Sequence, residues 1–303
     1  MKEKLPKIKY GTVPNILFVG NGINRAFELN SWDELLAQVS RKNLSEEEKK
    51  AVERMPYPMQ AVIVTDDRVH ENLEQLADAL LNTKMSAEQL GILRDYLRLR
   101  FDAVLTTNYT YEIENAIDDK FYCKKRTASK YRFHSKDGTK AEEQFGIYKY
   151  MKVSDGEFEH RIWHVHGETA RPRSMILGHY YYGKLLSNIQ QYVSNVIRQY
   201  ESARKEKRDY QPYSWIDYFL IGNVYIVGYG MDLSEIDIWW LINCRKKNMQ
   251  KCGKIYYIEP NMNVEKNVAK RLLAEVYGLD IITEVVEEDY MSYYKNAINN
   301  IKK

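Results

Sequence analysis

Asn15-Ile16-Leu17-Phe18-Val19-Gly20-Asn21-Gly22-Ile23-Asn24 decides the fold. A short apolar run enters a glycine turn, and beyond it Trp32 to Val39 carries helical periodicity. The same order recurs three times. Phe101 to Leu105 delivers the chain into Thr106-Thr107-Asn108-Tyr109 and then a helical stretch, Tyr111 to Ile117. Val224 to Val227 enters Gly228-Tyr229-Gly230 ahead of Ile236 to Cys244, and Lys254 to Ile258 precedes Val264 to Val276. Apolar runs this short, rich in Ile, Val and Tyr, suit strands covered on both faces. Strand, turn and helix in repetition predict an α/β fold with a doubly wound, mostly parallel Rossmann-like sheet.

The first two runs are separated by more chain than one crossover helix needs. Ser45-Glu46-Glu47-Glu48 and Ser86-Ala87-Glu88-Gln89 each read as a helix start, with serine as cap and acids in the first turn. A small helical module inserted at about residues 45–100 is therefore expected within a single domain spanning 1–303. Residues 119–160 are more polar and carry Asp137-Gly138 and Asp155-Gly156 turn signals, which predicts a short antiparallel excursion. Long helical periodicity then runs from Tyr181 to Ala203, followed by Tyr213 to Leu220.

Composition narrows the function classes. Among 303 residues, 45 basic and 42 acidic side chains leave a net charge of +3, a surplus too small to argue for direct nucleic-acid binding, which needs a concentrated basic face. The densest basic stretch, Arg204-Lys205-Glu206-Lys207-Arg208, is interrupted by an acid and reads as a solvated face. Cys123, Cys244 and Cys252 form no C-x-x-C pair, which argues against a disulfide framework and a structural zinc site. Ile16 to Val19 is too short for a signal core and no run has the length of a membrane span, so a cytoplasmic location is expected. The 25 tyrosines either line a cleft or cover apolar surface, and the second reading is the more economical.

Five short segments carry candidate chemistry. Gly20-Asn21-Gly22 lets the backbone turn sharply before a helix start, where amides can meet phosphate, although a plain tight turn has the same sequence. Asn108 ends a strand on the side where α/β proteins bind ligands; its amide can donate and accept, and the competing role is a helix cap. In Ile162-Trp163-His164-Val165-His166-Gly167, alternation sets both histidines on one strand face. No carboxylate or cysteine cluster completes a metal site, so no metal is expected, and His166 beside glycine suits a general base. Gly228-Tyr229-Gly230-Met231-Asp232 is a second glycine turn, and Glu259 stands at a strand end where ribose hydroxyls are commonly held.

Taken in this order, the segments resemble the sirtuin-like family, in particular its bacterial NAD⁺-hydrolysing branch from antiphage defence systems. Gly20-Asn21-Gly22-Ile23-Asn24 stands where that family has a Gly-Ala-Gly phosphate turn. Leu29-Asn30-Ser31-Trp32-Asp33-Glu34-Leu35-Leu36 is similar to the branch's Pro-Ser-Trp-x-x-Leu segment. Thr106-Thr107-Asn108-Tyr109 resembles the Thr-Gln-Asn-Ile-Asp strand end, His166-Gly167 the catalytic His-Gly pair, and Gly228-Tyr229-Gly230 a later Gly-Tyr-Ser turn. The resemblance covers roughly residues 15–260. Departures are Asn21 for alanine, Thr110 for aspartate and Gly230 for serine, and the zinc-binding cysteine pairs of the deacetylases are missing.

The resemblance implies NAD⁺ as substrate, with Asn108 and His166 at the reaction centre. It implies nucleotide contacts through Gly20, Asn21, Gly22, Asn24, Asp33, Thr107, Gly228, Tyr229 and Gly230, with Glu259 on the adenosine ribose. Hydrolysis to nicotinamide and ADP-ribose is the expected activity, because the missing zinc module belongs to the peptide-binding architecture of deacetylases. Transfer of ADP-ribose, cyclisation, or a non-catalytic NAD⁺ sensor are the alternatives. Since an unrestrained NADase would kill its host, homo-oligomerisation or a separately encoded regulatory or trigger protein is expected.

Overall fold

In a computed structural model, residues 4–26, 32–81, 85–118, 121, 145–261, 267–286 and 289–301 are described, except for the side chains of residues 32, 33 and 81. Seven strands form one sheet: β1 (Asn15–Val19), β2 (Ala103–Thr106), β3 (Met151–Ser154), β4 (Glu159–His164), β5 (Asn223–Val227), β6 (Ile255–Pro260) and β7 (Asp280–Glu284). Their order is β3-β4-β2-β1-β5-β6-β7, parallel throughout except for the β3/β4 pair. The six parallel strands thus follow the Rossmann order, and the doubly wound α/β reading holds. Chain direction reverses its lateral course between β1 and β5. The turns leaving those two strands flank the crevice where such sheets bind ligands.

The helices run in chain order α1 (Gly22–Arg25), α2 (Trp32–Val39), α3 (Glu46–Val52), α4 (Tyr57–Val64), α5 (Val69–Leu81) and α6 (Ala87–Leu97). They continue with α7 (Glu112–Ile117), α8 (His179–Lys205), α9 (Trp215–Ile221), α10 (Ile236–Asn248), α11 (Val268–Val276) and α12 (Tyr290–Ala297). Strand pleating sorts the core into two layers. Ile16, Phe18, Val224 and Ile226 face α8, α9 and α10, whereas Leu17, Val19, Tyr225 and Val227 face α6, α7 and α12. Along α8 the buried Tyr182, Leu185, Ile189, Val193, Val196, Tyr200 and Ala203 recur every three or four residues, a stripe that lays the helix flat on the sheet. Each such large apolar side chain contributes roughly 1.5–3 kcal/mol on burial.

A third buried cluster joins Leu35, Leu36, Val39, Ala61, Val64, Leu73, Leu76 and Leu80 of α2, α4 and α5 to Met175 and Leu177. Helix α6 lies apart from it, with Ile92, Leu93, Tyr96 and Leu97 in the sheet's own core. Both expected serine caps form. Ser45 completes a capping box with Glu48, its amide donating to Oε2 at 2.8 Å and its hydroxyl accepting from the Glu48 amide at 3.3 Å. Ser86 accepts from the Gln89 amide at 3.1 Å.

Some expectations change. Strand β4 ends at His164 and residues 165 and 166 lie in a turn, so the two histidines are not partners on one strand face. The antiparallel excursion is the β3/β4 hairpin around Asp155-Gly156, while Asp137-Gly138 falls outside the described residues. Strand β7 went unpredicted, and the described part of the helix expected from Val264 starts at Val268. Arg204 pairs with Glu201 and Arg208 with Glu206, as a solvated face requires. No helix among the described residues is long and apolar enough to cross a membrane.

Candidate functional site

A cavity of about 760 Å³ opens at the ends of β1, β2, β5 and β6, within the range of about 300–1,000 Å³ typical of small-molecule sites. It gathers segments far apart in sequence: Asn21 and Gly22, Thr107 to Thr110, His166, Gly228 to Gly230, and tyrosines of α12. Arg25 and Lys270 bring positive charge to its wall, and Asp232 and Glu235 bring negative charge.

The two glycine turns pack directly on each other. The Gly20 amide donates to Val227 O at 3.0 Å, and the Gly22 amide to Gly228 O at 2.6 Å. A Cβ on Gly22 would sit 2.3 Å from the Tyr294 hydroxyl and 2.6 Å from Gly228 O, so glycine is demanded by the approach of backbone and tyrosine. Gly228 itself has φ of +64°, in the left-handed region. A Cβ on Gly230 would meet nothing within 4 Å among the described residues, and the Gly230 carbonyl accepts from Lys270 Nζ at 2.7 Å.

Asn108 is not a helix cap. Thr106 Oγ1 accepts from its amide at 3.0 Å, and α7 begins only at Glu112. Its side-chain Nδ2 donates to the Glu112 carboxylate and to Gly20 O at 3.4 Å, whereas Oδ1 is buried and has no hydrogen-bond partner among the described residues. Asn108 therefore turns both donors inward and keeps one acceptor in reserve. Its backbone is pinned from the other side: His164 Nδ1 lies 2.6 Å from Asn108 O and Nε2 2.9 Å from Glu114 Oε1. Burial works against a charge on His164, but Glu114 and Glu168, with the Asn108 carbonyl, outweigh it and push its pKa up to about 9. As an imidazolium, His164 donates from both nitrogens. It anchors residue 108 through that carbonyl.

His166 is 2% exposed and lines the cavity. Its Nε2 meets Asp237 Oδ2 at 2.9 Å, and Asp237, in the first turn of α10, is wholly buried. Tyr182 packs edge-on against the ring with centroids 5.2 Å apart. Burial lowers the imidazole's proton affinity, but Asp237 and Glu235 raise it further, so its pKa lies above the ordinary 6.5. With Nε2 committed, Nδ1 is the nitrogen left for proton transfer. Glu235 is pushed up to about 7, by burial and by Asp237 and Asp232, against the pull of His166 and the Tyr229 hydroxyl.

Of the residues predicted from sequence, Asn21, Gly22, Thr107, Asn108, His166, Gly228, Tyr229 and Gly230 line the one cavity. Gly20 and Asn24 stand behind its wall. Asn24 Nδ2 donates to Asn21 Oδ1 at 2.9 Å and to Glu112 Oε1 at 3.0 Å. Glu259 is buried, ion-paired with Arg271, and outside the lining. The Asp33 side chain lies outside the described residues. Sequence reasoning missed Asp237, Glu112, Lys270 and Tyr294. A hint existed for Asp237, an acid set between Ile236 and Ile238 just behind a glycine turn. Among the described residues no group of three or more His, Cys, Asp or Glu could hold a metal ion. Compared with known proteins, the chain matches no family model and no curated protein.

Proposed function

We propose that the chain is an NAD⁺ hydrolase that cleaves the nicotinamide–ribose bond, releasing nicotinamide and ADP-ribose. One observation carries the reading: the cavity at the switch point of a Rossmann-order sheet is lined by two glycine turns, by Asn108 with its unpartnered Oδ1, and by a carboxylate-anchored His166. The leaving nicotinamide of NAD⁺ is already cationic. The bonding pair passes to its ring nitrogen without help from an acid, and the ribose becomes oxocarbenium-like. Water then forms the new bond to the anomeric carbon, and its proton passes to His166 Nδ1, directly or through a ribose hydroxyl. Asp237 keeps the imidazole oriented and stabilises the imidazolium that forms, a division of labour familiar from Asp-His pairs.

Asn108 Oδ1, an acceptor only, suits a ribose hydroxyl or the attacking water. Arg25 and Lys270 supply the positive charge that a diphosphate needs beside the glycine turns. Control by further copies of the chain or by a separate trigger protein, in bacterial antiphage defence, belongs to the proposal through the family resemblance alone. The test is chromatographic. Purified protein is incubated with NAD⁺, and free nicotinamide with an equal amount of ADP-ribose is the expected result. Cyclic or protein-bound ADP-ribose would instead favour cyclisation or transfer, and bound but unconsumed NAD⁺ a sensor.

A further inference from the structure

Glu112 does not line the cavity, yet three donors converge on it. Asn108 Nδ2 and Asn24 Nδ2 both give to Oε1, the latter at 3.0 Å, and Thr110 Oγ1 gives to Oε2 at 2.6 Å. The residue is 1% exposed. Burial raises its pKa, while hydrogen bonds from Thr110, its own backbone and Asn24 hold the carboxylate form. An acceptor-only group of this kind dictates which end of a neighbouring amide it meets. Oε1 can accept from Asn108 only if Nδ2 points inward, and that leaves Oδ1 as the end without a partner. The same carboxylate ties Asn108, past the end of β2, to Asn24 in α1, whose Nδ2 also holds Asn21 of the turn after β1, and Gln89 Nε2 closes the far side by donating to Asn24 Oδ1 at 2.5 Å.

We infer that Glu112 is the positioning residue of the site: it fixes the Asn108 amide so that its carbonyl oxygen is the one offered to the ligand, and registers the first two strand-end turns against each other. This rests on the proposed hydrolysis only for its consequence in rate, because the orientation of the amide is a property of the free protein. Among the described residues, one other acceptor is recorded for Nδ2 and it is the weaker of the two. Gly20 O, at 3.4 Å, is a long contact and carries no charge.

The test has two readouts. In the first, the Asn108 side-chain NH₂ resonances, assigned by their loss in Asn108→Ala, are followed by solvent exchange in wild type, Glu112→Ala and Glu112→Gln. Protection in the wild type, its loss in Glu112→Ala and its return in Glu112→Gln is the expected result. The glutamine oxygen can still accept from both amides while the Thr110 hydroxyl turns to accept from its NH₂. Equal protection in Glu112→Ala would overturn the inference, whatever the protein does to NAD⁺. In the second readout, Glu112→Ala should lower kcat for NAD⁺ by about 10²-fold with KM little changed, the scale of a misplaced reacting group. Glu112→Gln should recover most of that loss. In an Asn108→Ala background, Glu112→Ala should cost nothing further, since both changes remove the same interaction. A further equal loss in that background would mark Glu112 as a purely structural residue and sink the inference. If Glu112→Ala fails to fold, Glu112→Gln decides alone: a protected Asn108 amide with near-normal kcat supports the inference, and an unprotected amide refutes it. A wild type that protects Asn108 but leaves NAD⁺ intact refutes the hydrolase reading and leaves the positioning role standing.

Discussion

Replacing His164 by glutamine tests whether a buried cation holds Asn108 in place. Both ring nitrogens are engaged, Nδ1 with Asn108 O at 2.6 Å and Nε2 with Glu114 at 2.9 Å, and the side chain is 3% exposed. The pKa is about 9 in the folded chain against an ordinary 6.5. A folded-state pKa above the unfolded one stabilises the protein fully below pH 6.5, and that stabilisation is lost as pH rises through about 9. At roughly 1.4 kcal/mol per decade of proton affinity, the gap amounts to on the order of 3 kcal/mol. Urea unfolding of wild type and His164→Gln at about pH 6 and about pH 9.5 measures it. Glutamine cannot titrate, so the wild type should lose about 3 kcal/mol more than the variant between the two pH values. Using the variant as reference cancels the titration of the shared groups that do not interact with His164. An equal pH dependence in the two proteins would refute the reasoning, because His164 would then be neutral in the fold and could not donate from both nitrogens.

Three further outcomes follow from the same geometry. Asp237→Asn removes the carboxylate that raises the His166 pKa, so the acidic limb of the kcat/KM profile should move to lower pH. The plateau should fall by on the order of 10²–10⁴, and an unmoved limb would detach Asp237 from catalysis. Gly22→Ala drives a Cβ into the Tyr294 hydroxyl and Gly228 O and should cost about 1–3 kcal/mol of stability, read by urea unfolding. Gly230→Ala, with nothing within 4 Å, should stay within about 0.5 kcal/mol, and a larger loss would mean the two turns pack differently.

Much of this architecture is visible in the amino-acid order because the central strands are covered on both faces. Ile16 to Val19 and Val224 to Val227 must be continuously apolar, and such runs stand out between polar helical stretches. Strand β7 escapes the same reading. It is an edge strand with no fully buried residue, Asp280-Ile281-Ile282-Thr283-Glu284, and its polar ends look like loop. Asn108 and His166 are legible because each stands two residues past the end of a strand, where the chain leaves the sheet. Asp237 and Glu112 are not, since an acid in the first turn of a helix is what exposed helix starts also carry. Only tertiary packing distinguishes a buried anchor from a solvated cap. The tyrosines divide similarly. Tyr109 and Tyr182 come from the two tyrosine-rich stretches, but Tyr257, Tyr290, Tyr293 and Tyr294 reach the cavity from the far end of the chain. The alternation that pairs His164 with His166 fails for a local reason, the end of β4 at His164.

The central claim is tested most directly by NAD⁺ consumption, measured with purified protein at several concentrations beside Asn108→Ala and His166→Ala, each variant first shown to be folded. The account predicts that the wild type yields nicotinamide and ADP-ribose in equal amounts, with turnover per chain rising with concentration if assembly activates it. His166→Ala should lose on the order of 10²–10⁴ in rate and Asn108→Ala a comparable factor. Near-normal turnover by a folded His166→Ala would contradict the assigned base, and a wild type that neither binds nor consumes NAD⁺ at any concentration would contradict the account as a whole.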